Sequence, residues 1–458
     1  MKENLVYTKT YEPSFLFSYI MNLKTTPFPF RVDKFPFFYG WIILIAGTLG
    51  VLMSIPGQTM GISVFTDHLL EALKIERTTI SLAYMLGTIT SGLLITRAGR
   101  FYDKYGARVM AMFGGIMLGF TLLYLSKIDF ITGALSSIFS SFSYTSVAMI
   151  FLIIGFFGVR FFGQGILTMV SRNMVMKWFE TRRGLANAIM GIFVSFGFSY
   201  APRLFNLMID HGGWRHAWQV MGLVGAVGFV LFALLFFRDN AKDCGLKPDG
   251  KWVKKTKVNT ASNQLKEFTL KEAVKQYSFW IFNLTIALHA LFMTALTFHI
   301  ISLASESGLD SQRAIAIFLP ASFIAVSINF IGGWLSDYIK LKYLLMVHLT
   351  GVLIASFALI QLEHSPSAYS FLILGFGMCS GIFSIINTVT WPRFFGTKHL
   401  GSISGFSMSW TVIASAIGPY IFSLSLKYSG SYTTGILICA GIASVLLLLS
   451  FKANNVQR

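Results

Sequence analysis

Gly99-Arg100-Phe101-Tyr102-Asp103-Lys104-Tyr105-Gly106-Ala107-Arg108 is the stretch whose reading decides the fold. It has the form G-x-x-x-D-[RK]-x-G-x-[RK] and lies between two apolar runs, at about 78–97 and 107–126. Each run offers the ~20 apolar residues that a helix needs to cross ~30 Å of hydrocarbon. The two glycines let the backbone turn tightly and let two helix ends approach closely. One carboxylate and several cations stand around them. Such a segment can tie two helix ends by an ion pair in one state and release them in another.

Composition agrees with a membrane chain. The 458 residues are 54% hydrophobic, 16% aromatic and only 12% charged, with a mean hydropathy of +0.65, unlike a soluble domain. Further candidate spans run at about 38–62, 146–171, 184–208 and 214–237, then at 279–303, 313–335, 341–361, 367–391, 400–426 and 431–451. That is twelve spans in two groups of six. The expected organisation is a tail (1–37), a first six-helix half (38–237), a basic linker (238–278), a second half (279–452) and a short tail (453–458). The apolar patch Phe15 to Leu23 is too short to span and has no cleavage site after it, so it reads as tail rather than signal peptide. Cys244, Cys379 and Cys439 have neither disulfide nor metal spacing.

The net charge of +18 would suggest nucleic acid in a soluble protein. Here topology explains it. With the amino terminus inside, the inner loops and tails hold 29 Lys and Arg and the outer loops hold 6, leaving Arg160 and Arg203 within spans. This split predicts both termini on the cytoplasmic side. No nucleic-acid partner is expected. The expected partners are the lipid bilayer and a small-molecule substrate, with the protein monomeric.

The second half repeats the first. Gly333-Trp-Leu-Ser-Asp337 and Lys342 echo Gly99, Asp103 and Arg108 at an offset of 234 (333 − 99). Arg182-Arg183-Gly184 is echoed by Lys398-His399-Leu400-Gly401, and Pro202 by Pro419, at an offset of 217 (401 − 184). An insertion near 127–145, rich in Ser and Phe, accounts for the difference. In the second copy Tyr338 replaces a cation and Lys340 replaces the second glycine.

The motif around Asp103 resembles the loop between helices 2 and 3 of the major facilitator superfamily, and that resemblance covers about residues 38–452. Trp178-Phe179…Arg182-Arg183-Gly184-Leu185-Ala186 and Thr269-Leu-Lys-Glu-Ala273…Ser278-Phe279-Trp280 are similar to the branch containing monocarboxylate transporters and oxalate/formate antiporters. The resemblance implies an all-α membrane protein of two pseudo-symmetric six-helix halves, alternating access, and a cavity lined by spans 1, 4, 7 and 10. It implies a midplane site between the halves. That branch often carries an arginine in span 8, where this chain has Asn329, and a lysine in span 1, which this chain lacks.

Polar residues inside apolar spans are the candidate site. Arg160 stands near the middle of span 4, with Gln164 and Thr168 following at i+4 and i+8. A guanidinium at that depth costs at least ~2.5–3.5 kcal/mol on insertion scales and faces a cavity or a partner. All nineteen acidic residues fall in loops, tails or span ends, so the sequence offers Arg160 no mid-span carboxylate. The reading is that a substrate anion supplies it. The alternative is a structural arginine bonded to carbonyls or tyrosine hydroxyls. Gln58 follows Pro56-Gly57, an expected break in span 1, and is a second candidate ligand contact. His289 in span 7 is a candidate substrate contact and the first candidate for proton coupling, with Asp67 and His68 behind it. Asn387 and Trp391 in span 10 are weaker candidates.

The expected conformational lock comprises Gly99, Arg100, Asp103, Lys104, Gly106, Arg108, Arg182, Arg183, Gly333 and Asp337, closing the cytoplasmic face in the outward-open state. The function expected is secondary transport of a small mono- or dicarboxylate-like anion in a bacterial inner membrane, without cofactor, metal or enzymatic activity. A drug or siderophore-like exporter and a non-transporting sensor are the alternatives.

Overall fold

Helix is the only regular structure among the described residues, as an apolar environment demands when every backbone N–H and C=O must be satisfied within the segment. The computed structural model describes residues 29–138, 141–250, 266–309, 313 and 316–457. Phe15 to Leu23 and the centre of the basic linker fall outside the described residues.

Ten helical stretches are long and apolar enough to cross a membrane. Two of them, Thr78–Leu125 and Arg183–Phe236, have 48 and 54 residues. At 1.5 Å per residue these run about 72 and 81 Å, more than twice the hydrocarbon thickness. Each is broken by a glycine outside helical geometry, Gly106 at φ 81° and Gly213 at φ 78°, a region that residues with a Cβ rarely adopt. Divided there, the chain has twelve spans. The expected loop around Asp103 is therefore tighter than its sequence suggests: helix persists through Tyr105, and the break sits at Gly106.

Span 1 is broken as Pro56 predicts, into Gly40–Leu52, a turn at Ile55–Gly57, and Thr59–Ser63. Span 4 (Tyr144–Trp178) winds as a π-helix over Val159–Leu167. Spans 7 (Tyr277–Glu306), 8 (Phe318–Ser336), 9 (Leu341–Ile360), 10 (Pro366–Phe395), 11 (Leu400–Ser429) and 12 (Thr433–Ser450) complete the second half. Glycines bring backbones together where spans cross: a Cβ on Gly119 would lie 2.5 Å from the Gly222 carbonyl oxygen, and one on Gly375 2.7 Å from that of Gly351. Small residues at such crossings let helices pack in lipid. Part of the insertion after span 3 forms a helix of its own, Ile128–Ile138, whose Asp129 pairs with Arg215.

The halves meet through two related contacts. A Cβ on Gly99 would lie 2.0 Å from the Gly401 carbonyl oxygen, and one on Gly184 1.9 Å from that of Gly333. Beside the first contact, the Asp103 carboxylate accepts from Gly401 N (2.7 Å), Ser402 N (2.8 Å) and the Ser402 hydroxyl. Beside the second, Asp337 accepts from Gly184 N (2.9 Å), Leu185 N (3.2 Å) and Arg393 Nη2 (2.9 Å). Each motif thus grips the first turn of a helix in the opposite half, where N–H groups lack intrahelical partners and the dipole favours an anion. Burial pushes the Asp337 carboxyl above its ordinary value, against the pull of the Gly184 N–H and Arg393.

Arg182 and Arg183 stand at the start of span 5, just before the Gly184 and Leu185 N–H groups from which Asp337 accepts. Arg183 is buried and donates from Nε to the Met176 carbonyl at 3.1 Å. Arg108 is buried and donates to the Phe237 carbonyl at 3.0 Å. Arg100, Lys104 and Arg182 are exposed. The start of the basic linker is a structural clamp: Asp239 accepts from Ala107 N at 3.0 Å and pairs with Lys177 at 3.0 Å.

The Thr96 and Ser409 hydroxyls, one from each half, lie 2.9 Å apart, so a Thr96→Cys/Ser409→Cys pair should report closure by oxidative crosslinking. Asp103→Ala removes acceptor bonds worth roughly 1.5–3 kcal/mol each to a charged group. Since ~1.4 kcal/mol is already tenfold, the crosslinking rate should fall about tenfold or more. Gly401→Ala, whose new Cβ would sit 2.4 Å from the Gly99 carbonyl oxygen, should slow it comparably. An unchanged rate in both variants would show that these contacts do not govern closure.

Candidate functional site

The broken part of span 1 and the π-helical part of span 4 lie against each other. Gly57 makes this approach: a Cβ there would lie 2.1 Å from the Val159 carbonyl oxygen. Breaking span 1 frees the Gly57 carbonyl, and Arg160 Nη1 donates to it at 3.3 Å and reaches Thr59 Oγ1 at 3.5 Å. The guanidinium also sits over the Tyr84 ring, 5.4 Å from its centroid, and the Tyr84 hydroxyl lies 3.0 Å from Thr59 Oγ1. Arg160 is only 2% exposed, and its Nε is buried without a hydrogen-bond partner. Gln58 joins the cluster through its side-chain amide, donating to Ser54 Oγ (3.0 Å) and Thr168 Oγ1 (3.4 Å). The partners of Arg160 are therefore neutral oxygens and an aromatic face.

Which side of span 4 is open follows from its exposure. From Phe157 to Met176 the partly exposed residues are Phe157, Phe161, Gln164, Thr168 and Arg172, and the rest are buried. Four residues overshoot a 3.6-residue turn by about 40°, so an i+4 row drifts around an ordinary helix. The wider winding of Val159–Leu167 takes up that drift. Gln164 and Thr168 lie on this open stripe. Arg160 is tucked beside it, toward spans 1 and 2.

In the second half, His289 is 7% exposed, stacked on Phe383 (ring centroids 4.1 Å apart) and 4.9 Å from the His348 ring. His289 Nδ1 is buried without a hydrogen-bond partner. His289 and Arg160 thus belong to separate clusters in different halves. Asp67 is exposed in the first turn of the helix Thr66–Leu73, and Arg203 is exposed. Trp391 is core, 5.3 Å from Phe279, and Asn387 is partly exposed. Asn329 donates to the Gly381 carbonyl at 3.0 Å, and a Cβ on Gly191 would meet its Oδ1 at 2.7 Å. That position packs spans 5, 8 and 10 together.

Two residues carry more than their sequence positions indicated. The loop charges place Arg172 among the inner-loop cations; in the structure it lies within the helix Thr168–Trp178 and donates across to span 10, to Thr388 Oγ1 at 3.1 Å and Ser384 Oγ at 3.5 Å. The available signal was its spacing, one further i+4 step after Arg160, Gln164 and Thr168. His348 stands on span 9, far from His289 in sequence, and only packing brings the two rings together.

Two cavities are resolved away from Arg160. One of about 1110 Å³ opens beside the lock, with Arg100, Lys104, Arg183, Glu267 and Lys398 among its walls. The other, about 430 Å³, lies between Phe38, Trp41, Phe179, Arg182 and Asp249. Among the described residues no three His, Cys, Asp or Glu side chains are arranged to hold a metal ion.

A family model described as Major Facilitator Superfamily matches residues 42–419. The chain is 20% identical over 401 residues to an uncharacterized MFS-type transporter of Bacillus subtilis, YcxA, covering 83% of this chain and 88% of that one. It is 22% identical to an oxalate:formate antiporter of Oxalobacter formigenes over 53% of this chain and 50% of that one. With human monocarboxylate transporter 12 the identity is 25%, over 58% and 55%. The chain thus spans about half the length of these last two. Among solved structures, a bacterial homologue of ferroportin in an outward-facing state matches with a TM-score of 0.64 at 16% identity, over 90% of this chain and 99% of that one. The proton:xylose symporter XylE matches with 0.62 at 14% identity, over 92% and 98%. Twelve spans, two halves locked by related motifs and a family match across most of the length lead to one conclusion: the chain is an integral membrane protein of the major facilitator superfamily, whose members are secondary transporters rather than enzymes.

Proposed function

We propose that the protein carries a small organic anion, a mono- or dicarboxylate, by alternating exposure of a site between its halves, and that the lock stabilises the state open to the outside. The membrane is the bacterial inner membrane, with both termini cytoplasmic as the loop charges favour. The observation that carries the anion is Arg160: a permanently charged group at the interior of span 4 whose partners are the Gly57 carbonyl, Thr59 and the Tyr84 face. No described residue gives it a carboxylate. A guanidinium has five donors in a planar fork suited to a carboxylate, and the buried Nε has none of its bonding met. Similarity to an oxalate:formate antiporter and a monocarboxylate transporter supports the same substrate class.

Gln58, Gln164 and Thr168 line the approach and supply neutral polar contacts. His289 is the proposed coupling group, since of the coupling candidates His289, Asp67 and His68 it alone is buried. A second reading is favoured by the same neutral contacts of Arg160 together with the stacked pair Phe157 and Phe161, whose rings are 5.3 Å apart on the open stripe: a structural arginine in an exporter of uncharged amphiphiles.

Thermal shifts of the purified protein with oxalate, formate, lactate and succinate, beside a panel of uncharged amphiphiles, separate the two. At 100 times Kd a ligand stabilises by about 2.7 kcal/mol, enough to raise the transition measurably. The expected result is stabilisation by one carboxylate class, reduced at least tenfold in apparent affinity in Arg160→Gln. Stabilisation by amphiphiles alone, or an undiminished carboxylate shift in the variant, would overturn the anion reading. For coupling, His289→Gln in proteoliposomes should keep carboxylate exchange but lose the accompanying internal acidification. Acidification persisting at the wild-type ratio would remove His289 from that role.

A further inference from the structure

Arg172 is the one arginine on the open stripe of span 4. The stripe runs Phe157, Phe161, Gln164, Thr168, Arg172, and Arg160 is buried beside it. Twelve residues separate the two arginines, at most about 18 Å at the 1.5 Å per residue of an α-helix, and their partners differ: Gly57 and Thr59 for Arg160, Ser384 and Thr388 for Arg172.

The surroundings of Arg172 are neutral. Its Nη1 meets the Thr388 and Ser384 hydroxyls at 3.1 and 3.5 Å. The Asn187 side-chain amide donates to the same Ser384 hydroxyl at 3.2 Å. One residue on, Asn173 donates to Ser404 of span 11 at 2.7 Å. These contacts join spans 4 and 5 of the first half to spans 10 and 11 of the second. They form a polar floor close to the Gly184–Gly333 contact in sequence, since Asn187 follows Gly184 by one turn. Hydroxyl oxygens offer dipoles but no countercharge, and two bonds from one nitrogen leave most of the guanidinium donors unused.

We propose that Arg172 is a second anion-binding residue, at the inner end of the open stripe of span 4, which takes the substrate carboxylate after Arg160 and couples its arrival to opening of the lock. The coupling follows from competition. A carboxylate held end-on, by Nη1 and Nη2 of Arg172, takes an Nη1 donor that now bridges to Ser384 or Thr388, because a charged acceptor outbids a hydroxyl. Those bridges join the halves, so an occupied floor weakens closure and an empty one favours it. Gln164 and Thr168, one helical turn apart between the arginines, mark the path. The proposal rests on the organic-anion reading for its ligand but not for the local positive potential it requires.

The test uses Thr168→Cys, one turn from Arg172, in a chain whose Cys244, Cys379 and Cys439 are replaced by serine. The thiol is labelled from the side opposite the lock with an anionic methanethiosulfonate (sulfonatoethyl) or a cationic one (trimethylammonioethyl), and the ratio of rates reports the local potential independently of any substrate. With Arg172 present the anionic reagent should be favoured. Arg172→Gln should lower the anionic-to-cationic ratio about tenfold, and Arg172→Lys should preserve it, which separates loss of charge from loss of fold. Whichever carboxylate stabilises the protein in the thermal panel should slow anionic labelling at least threefold with Arg172 and leave it unchanged in Arg172→Gln. An unchanged ratio in Arg172→Gln, or no labelling by either reagent, overturns the proposal; the anion reading still stands if the thermal shift by a carboxylate survives. A ratio that responds as expected while no carboxylate shifts the transition or slows labelling overturns the anion reading and, with it, the ligand assigned to Arg172.

Discussion

Carboxylates seated on helix N-termini, each next to a glycine–glycine backbone contact, are the constraint on which the arrangement of the halves depends. Asp103 and Asp337 accept from the first N–H groups of spans 11 and 5, groups that no helix can satisfy internally. The glycines make it feasible: with a Cβ at Gly99, Gly184, Gly333 or Gly401 the backbones would clash, and the carboxylates could not reach. Such bonds suit a reversible contact. When the halves part, both carboxylate and N–H can be hydrated at the protein surface, so opening leaves no polar group stranded. Arg108 and Arg183 hold nearby carbonyls instead, which keeps the gripping turns in shape.

Closure at this face sets what lies deeper. Spans 4 and 10 come near enough for Arg172 to reach Ser384 and Thr388, and spans 2 and 11 for Thr96 to reach Ser409. Above that floor, the broken span 1 supplies a bare carbonyl and the π-helical turn of span 4 supplies the cation that uses it. The two irregularities satisfy each other. Irregular backbone at membrane depth is tolerated where protein groups or a cavity meet its polar atoms. The result is a first half in which Arg160 and Arg172 meet neutral groups, and a second half offering hydroxyls and two buried imidazoles, one of them stacked on Phe383.

Twelve spans, two repeated halves and the places of helix breaks were legible in the chain because each rests on local chemistry. Span length follows from hydrocarbon thickness, the break at Pro56-Gly57 from a missing N–H, and the turn at Gly106 from a backbone angle that glycine alone takes freely. The repeat also held contact information, since the two offsets relate Gly99 to Gly333 and Gly184 to Gly401, the four glycines of the inter-half contact. What the repeat did not disclose was the crossing: each motif grips a helix start of the other half, so Asp103 accepts from Gly401 and Ser402 and Asp337 from Gly184 and Leu185.

The site divides the same way. That Arg160 lies in an apolar span with no mid-span carboxylate to pair with is a one-dimensional fact, set by where nineteen acidic residues fall. Which way its guanidinium points is not, because a π-helical stretch changes the register of everything after it, and sequence spacing at 3.6 per turn cannot anticipate that winding. For the same reason Arg172 reads as the edge of a loop when spans are cut by hydropathy, yet the folded chain sets it on the open stripe across from Ser384. Local composition determined the spans, their repeat and the charge they carry; only the packing of one half against the other decided which of those charges faces a cavity, since burial and partnership are properties of surfaces that meet across more than two hundred residues of chain.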